Sequence, residues 1–242
     1  MPRFVINAQD ALTPPSEPAR LRARLQWSFP LWPAVGVGGA VIAVEPGLRA
    51  RTDAGGWIEL DAPPGRYTLC ADRAEPINAL RAEVPPAREI FITDIDATIS
   101  DASSARALVA DNARIRPMAG SVEALRRIKE RYQIVYVTAR NFRYTAKTKG
   151  WLAMHHFPPA PLITRSALWW RKPSRAYKRE TLAALAARWP NIRAGVGDRT
   201  GDVLAYASVG AAAFLIGASS APDGAQAVGS WKELEERLRG LG

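Results

Sequence analysis

The sequence holds one cysteine, two histidines and three methionines in 242 residues, and no apolar run of membrane-spanning length. Cys70 has no second thiol to pair with and no Cys or His at metal-ligand spacing. An internal disulfide and a Cys/His zinc site are both excluded, and a buried thiol in a reducing cytoplasm is the expectation. Without about 20 consecutive apolar residues nothing demands a membrane crossing, and the opening MPRFVINAQDALTPP lacks the apolar core of a secretory signal. The two histidines, His155 and His156, are adjacent. Neighbours on a helix point to different faces, so a helix end or surface suits them better than a metal site. GVGGA at 36–40 lacks the third glycine of a dinucleotide loop and sits among strand-like runs, so it reads as a turn or bulge. Internal repeats and low-complexity blocks are missing as well.

Charge is present, and unevenly. The net charge is +10, with ten basic against nine acidic side chains up to residue 88 and 23 against 14 beyond it. Such a field suits an anionic partner, whether a phosphorylated substrate, an acidic lipid surface or nucleic acid; a plain solvated basic surface accounts for it equally well.

The chain changes character near EVPPARE. Before it, TPPSEP marks residues 1–20 as a loose tail or edge segment. ARLRARLQW alternates, GGAVIAVEPG is a strand closed by Pro-Gly, and WIELDAPPGRYTLCA reads as strand, turn, strand. A small antiparallel β-sandwich over 21–86 follows, and TDAGGWIELDAPPGRYTL resembles the transthyretin-like and carboxypeptidase-regulatory sandwiches. After the prolines, which stop either kind of ladder, buried-strand runs alternate with helical patterns. EIFIT, QIVYV, PLIT, AGV and AAFLIG are the strands. GSVEALRRIKERY places Val122, Leu125 and Ile128 on one helical face, and SWKELEERLRG carries a capping box from Ser230 to Glu233. Alternating strands and helices predict an α/β domain over 87–242, a parallel sheet with helices on both faces.

FITDIDATIS, residues 91–100, runs from strand formers straight into acid. Two carboxylates one residue apart repel each other, so Asp94 and Asp96 call for a cation that the local sequence does not provide. Asp94 and Asp96 follow the first buried strand, Thr138 and Arg140 the second, and Asp198 the fourth. In an open α/β sheet, strand C-terminal ends face one crevice, where residues distant in sequence converge. Taken alone, the Asp pair reads equally well as a solvated turn or helix cap; the convergence carries the functional reading.

DIDAT resembles the first motif of the haloacid-dehalogenase superfamily, Asp-x-Asp-x-Thr. VYVTAR with Thr138, YKRETL with Lys178, and GDRTGD with Asp198 and Asp202 resemble the second, third and fourth, in order, over residues 89–242. Within that superfamily, VTARNFRYTAKTKGWLAMHHFPPAPLI and the stretch to GDRTGDVLAY are most similar to the lipin and actin-patch-protein type phosphatidate phosphatases and to the related phosphatidylinositol-transfer-protein domains. Ala97 departs from the Gly or Asp usual there. The resemblance implies a Mg²⁺-dependent phosphomonoesterase. Asp94 would be the nucleophile, forming an aspartyl-phosphate, and Asp96 the proton donor and acceptor. Asp94, the Asp96 carbonyl, Asp198 and Asp202 would be the metal ligands, with Thr138 and Lys178 on the phosphoryl oxygens. Lys172 of WWRKP rivals Lys178, since many relatives carry Lys-Pro here; Lys178 is preferred because it opens the helix leading into GVGD. Arg140 and Lys172 are candidates for drawing in substrate, as is Arg199, although solvent-facing ion pairing suits either arginine at least as well.

Superfamily members often carry an inserted lid. Here about twenty residues separate DIDAT from the next helix and PLIT to YKRE is a short loop, neither long enough to bury a core. A capless, open site suits a bulky anionic substrate, phosphatidate at a membrane surface among them. Trp169 and Trp170 beside Arg171 and Lys172 have the composition of an anionic membrane interface, although indoles packed under the loop fit as well. Two other readings compete: a non-catalytic module that binds acidic lipid, whose degenerate relatives lose the nucleophile retained here, and a nucleic-acid end phosphatase, which only the charge supports. A cytoplasmic protein, peripheral at a membrane, is the matching location; nothing in the sequence speaks to oligomeric state.

Overall fold

The computed structural model describes residues 3–15, 17–18, 20–28, 34–166 and 173–241. The chain divides into two compact units, one gathering Met1–Val84, Arg140–Gly150 and Pro161–Ala167, the other Pro85–Ala139, Trp151–Ala160 and Leu168–Gly242.

Period-two alternation builds the first unit. Its strands are β1 (Arg3–Ala8), β2 (Ala11–Thr13), β3 (Arg20–Ser28), β4 (Val35–Gly36), β5 (Val41–Glu45), β6 (Leu48–Arg51), β7 (Trp57–Asp61), β8 (Gly65–Ala71) and β9 (Ala74–Glu83). In β3, Leu21, Ala23 and Leu25 are buried while Arg20 and Arg22 face solvent, the pattern of a strand with one covered face. The hydrogen-bonded order is β4-β3-β1-β9-β8-β5-β6, with β2 added to β9 and β7 to β3. Pairing is antiparallel except between β1 and β9 and between β2 and β9. Ile6, Leu21, Leu25, Ile42, Val44, Ile58, Leu69 and Ile77 fill one core.

The opening residues are therefore not the tail or edge expected. β1 pairs with β3, Val5 opposite Gln26, and sends Ile6 and Ala8 into the core. RFVINA finds its partner only beyond TPPSEP, so no local signal announces it. Cys70 is half-buried rather than buried, because it lies on the outward side of β8 between core residues.

Two later segments belong to this unit through Asp10. Its carboxylate accepts from Leu80 N at 2.7 Å and Leu162 N at 3.0 Å and pairs with Lys149, which also donates to the Asn78 carbonyl at 2.8 Å. Asn7 Oδ1 accepts from Ala146 N at 2.9 Å, and Trp57 stacks on Phe142 with centroids 5.2 Å apart.

Beyond Pro85 strands and helices alternate, and most of them make up the second unit, while Arg140–Gly150 and Pro161–Ala167 are counted in the first. β10 (Ile90–Thr93), α1 (Ser104–Val109), α2 (Ser121–Arg131), β11 (Gln133–Asn141), α3 (Thr145–Met154), β12 (Leu162–Arg165), α4 (Ser174–Ala186), β13 (Ile192–Gly197), α5 (Thr200–Ala207), β14 (Ala212–Ile216), β15 (Ala225–Val228) and α6 (Trp231–Arg239) follow in chain order. The run β11-β10-β13-β14-β15 is parallel throughout. From β10 the chain winds to β11 on one side, while β13 and β14 lie on the other, so the reversal point falls at the C-terminal end of β10. α2 packs with α6 and α4 with α5, two helical layers for a sheet whose central strand is buried on both faces. α6 begins with the expected cap: Ser230 Oγ accepts from Glu233 N at 3.2 Å and Glu233 Oε2 from Gly229 N at 2.8 Å. Between Asp96 and α2 the chain holds only α1 and one 3₁₀ turn, Asn112–Arg114. Among the described residues no helix is long and apolar enough to cross a membrane.

Candidate active site

β10 ends at Thr93, and Asp94 is still tied to the neighbouring strand through its N–H to the Val196 carbonyl, 3.0 Å. The chain then turns sharply. Ala97 takes a left-handed φ of +53°, and the Ile95 carbonyl accepts from Thr98, Ile99 and Ser100 N–H groups. A side chain at such a φ costs about 1 kcal/mol, and Ala is among the smaller ones to carry it. Asp94 and Asp96 are each only 5% exposed.

Alternate glycines in β13 seat the other acids. A Cβ on Gly195 would fall 2.5 Å from the Tyr206 ring, and one on Gly197 would fall 2.6 Å from Asp202 Cβ. Tyr206 and Asp202 are four residues apart on one face of α5, so the two glycines let that helix settle directly on the strand. Asp202 is thereby buried in the first turn of α5, with Asp198 at the strand end. On α4, Lys178 continues the buried face of Leu182 and Leu185. Its ammonium lies 3.0 Å from Asp94 Oδ2 and 2.7 Å from Asp202 Oδ1.

Carboxylate oxygens of Asp94, Asp198 and Asp202 all lie within 4.8 Å of one another. Three acids face one ammonium. Burial dominates the energetics: it pushes Asp94 up to about 6, Lys178 opposing and Asp202 adding to the rise. Burial and the Asp94 charge also raise Asp198. Burial pulls Lys178 down, yet Asp94 and Asp202 together outweigh it and hold the ammonium charged. Asp198 Oδ1 and Asp202 Oδ2 are buried with no hydrogen-bond partner among the described residues. Buried oxygens of ionised carboxylates without partners are costly, and a clustered set of hard oxygen donors is what a small divalent cation such as Mg²⁺ accepts.

Thr138 is fully buried two residues beyond Tyr136, the register partner of Thr93, which sets it at the same end of the sheet as the Asp pair. It lies inside β11, not after it, because that strand runs on to Asn141. Arg140 is only 6% exposed and donates to Thr148 Oγ1 at 3.1 Å, both residues in the first unit, so it is buried and not solvent-facing. Arg199 is exposed, 3.7 Å from Asp198 Oδ2. Lys172, Trp169, Trp170 and Arg171 lie outside the described residues, so of the two lysines only Lys178 is seen against the acids. His155 and His156 close α3, His156 exposed. One contact had no place in the motif reading: Ser104 Oγ donates to Asp96 Oδ2 at 2.8 Å. The Ser-Ser pair before ARALV was its only trace, as a helix N-cap signal.

The family described as PITM 1-3, LNS2 domain, matches residues 91–217, more than half of the chain, from β10 to the end of β14. The chain belongs to this LNS2 family. No curated protein sequence matches it significantly. Among solved structures the chain is similar to the HAD domain of effector protein Lem4 from Legionella pneumophila, at 10% identity over 62% of this chain and 93% of that one, TM-score 0.44. It is also similar to SP0104, a haloacid dehalogenase-like hydrolase from Streptococcus pneumoniae, at 13% identity over 62% and 98%, TM-score 0.44. A component of the Pnkp1/Rnl/Hen1 RNA repair complex matches at 19% identity and TM-score 0.43, with 55% of this chain spanning 45% of the other. This LNS2 chain combines a sheet whose strands β11-β10-β13-β14-β15 run parallel, flanked by helices, with a mostly antiparallel sheet earlier in the sequence.

Proposed function

We propose that this chain is a Mg²⁺-dependent phosphomonoester hydrolase acting through an aspartyl-phosphate. The observation that carries the reading is the cluster itself: Asp94, Asp198 and Asp202 around Lys178, with two buried carboxylate oxygens lacking partners. In this reading Asp94, Asp198, Asp202 and the Asp96 carbonyl would hold the ion, whose charge quiets the repulsion between the carboxylates and an incoming phosphate.

The chain's own groups do the rest. Lys178 fixes one oxygen of Asp94 and keeps the nucleophile ionised in a buried setting where it would otherwise take up a proton. An Asp94 oxygen forms the bond to phosphorus as the phosphorus–leaving-group bond breaks. Asp96 gives its proton to the departing oxygen, then takes one from the water that attacks the aspartyl-phosphate and returns Asp94 and inorganic phosphate. Thr138 and the Lys178 ammonium stand ready for the phosphoryl oxygens, where charge accumulates.

The substrate we propose is a bulky anionic phosphoester, with phosphatidate the first to test. The short connection between Asp96 and α2 and the excess of basic side chains beyond residue 88 support it, together with the motif resemblance to lipin-type enzymes. Docking on an acidic membrane surface follows from the same reading. Purified chain should release inorganic phosphate from short-chain phosphatidate and para-nitrophenyl phosphate, lose that activity to a chelator, regain it with Mg²⁺ and lack it as Asp94→Asn. Turnover that survives chelation or Asp94→Asn overturns the mechanism.

A further inference from the structure

We propose that Ser104 is a positioning residue for the proton transfer at Asp96. The proposal rests on the hydrolase reading above and extends it to the segment between Asp96 and α2. The contact is Ser104 Oγ to Asp96 Oδ2, 2.8 Å, in a place where Asp96 is 5% exposed. A hydroxyl donating to Oδ2 selects one rotamer of the carboxyl group and so fixes the direction in which Asp96 is presented.

What makes this more than a chance surface contact is how the serine is delivered. The left-handed Ala97 reverses the chain, and the Ala97 N–H then bonds the Ala102 carbonyl at 3.0 Å, which brings residues 102–104 back over Asp96. The Ser100 hydroxyl donates to the same carbonyl at 3.3 Å. The base of the loop is tied from outside. Thr98 O accepts from the Trp231 indole on α6 at 3.0 Å, and Ile99 O from Met118 N at 2.8 Å and Ser121 Oγ at 3.3 Å. Asp101 and Arg116 exchange backbone and side-chain bonds at 2.9 and 3.1 Å. Ser104 thus sits at the start of α1 with the backbone leading to it tied down, the preorganisation that a proton-transfer group needs from its supports.

The proton balance is simple. The Asp96 carboxyl group gives a proton to the leaving oxygen as phosphorus passes to Asp94, and its carboxylate then takes a proton from the attacking water. Ser104 keeps its own proton throughout and touches neither phosphorus nor leaving group. Its effect must therefore depend on how much the leaving oxygen needs a proton.

That dependence is the test. kcat/KM, which reports steps through phosphoryl transfer to Asp94, is measured on the full chain with Mg²⁺ for para-nitrophenyl phosphate, a good leaving group, and benzyl phosphate, a poor one. A positioned acid is worth about 10²–10⁴-fold. Ser104→Ala should cost about tenfold or more on benzyl phosphate and under about threefold on para-nitrophenyl phosphate, and Ser104→Thr should restore most of the loss by returning the hydroxyl. Unchanged thermal unfolding separates the effect from a folding defect. A loss equal on both esters, or no loss, overturns the assignment alone; a wild type without Asp94-dependent turnover overturns the hydrolase reading and this assignment with it.

Discussion

Gly197 and Asp202 touch: a methyl group on residue 197 would lie 2.6 Å from Asp202 Cβ and 2.8 Å from its Oδ2. The last residue of a strand and the first turn of the next helix are pressed together, and the carboxylate is buried because there is no side chain in the way.

Gly197→Ala should therefore push α5 off the strand. Overpacking of this kind costs about 1–3 kcal/mol, and the displaced Asp202 should weaken Mg²⁺ binding as well. Gly229→Ala is the control, since a Cβ there meets only Glu233 Oε2 at 3.6 Å and should change stability by less than about 0.5 kcal/mol. Urea unfolding with and without Mg²⁺ checks both.

Ion binding and protonation should compete at Asp94. Its carboxyl is raised to about 6 by burial, so the folded chain holds that proton more tightly than the unfolded one. The proton's contribution to stability is complete below the ordinary carboxylate value of about 4 and is lost as pH rises through about 6. A divalent ion needs the ionised form. The increase in Tm on adding Mg²⁺ should be large near pH 7.5 (about neutral), shrink through about pH 6 and be negligible near about pH 5. An increment independent of pH would contradict the assignment of Asp94 as a ligand.

Lys178→Met keeps the length of the side chain and removes its charge. Asp94 and Asp202 would be left buried without their ammonium, and breaking a buried pair this way costs about 3–5 kcal/mol. The loss, read by urea unfolding at neutral pH without metal, should shrink when the solution is acidified or Mg²⁺ is added, because either one neutralises the stranded acids. An apolar repacking effect would respond to neither.

Asp94 and Asp198 could be brought together from sequence because each follows a buried strand of the parallel sheet, whereas Lys178 and Asp202 were reached only through the motif resemblance. Strand ends of a parallel sheet share one side, and that rule places the acids without any knowledge of the loops. Ser104 escaped because α1 is only six residues long and buries only Ala107, too little for any periodicity to show. The burial of Arg140 and its bond to Thr148 are a tertiary choice that TARNFRY does not record. β1 and β15 were missed for related reasons: each is a short strand whose partner, not its own composition, decides that it is a strand.

The tie of Arg140–Gly150 and Pro161–Ala167 to the amino-terminal strands through Asp10 and Asn7 bears on how such a protein can be inherited. The carboxy-terminal half gives two internal stretches to the first unit, so a cut at Pro85 would strand Lys149 without Asp10 and Leu162 without its carboxylate acceptor. The two halves do not form a string of exchangeable beads. Recombination could move them only as one piece, and substitutions at Asp10 and Lys149 should be accepted or rejected together.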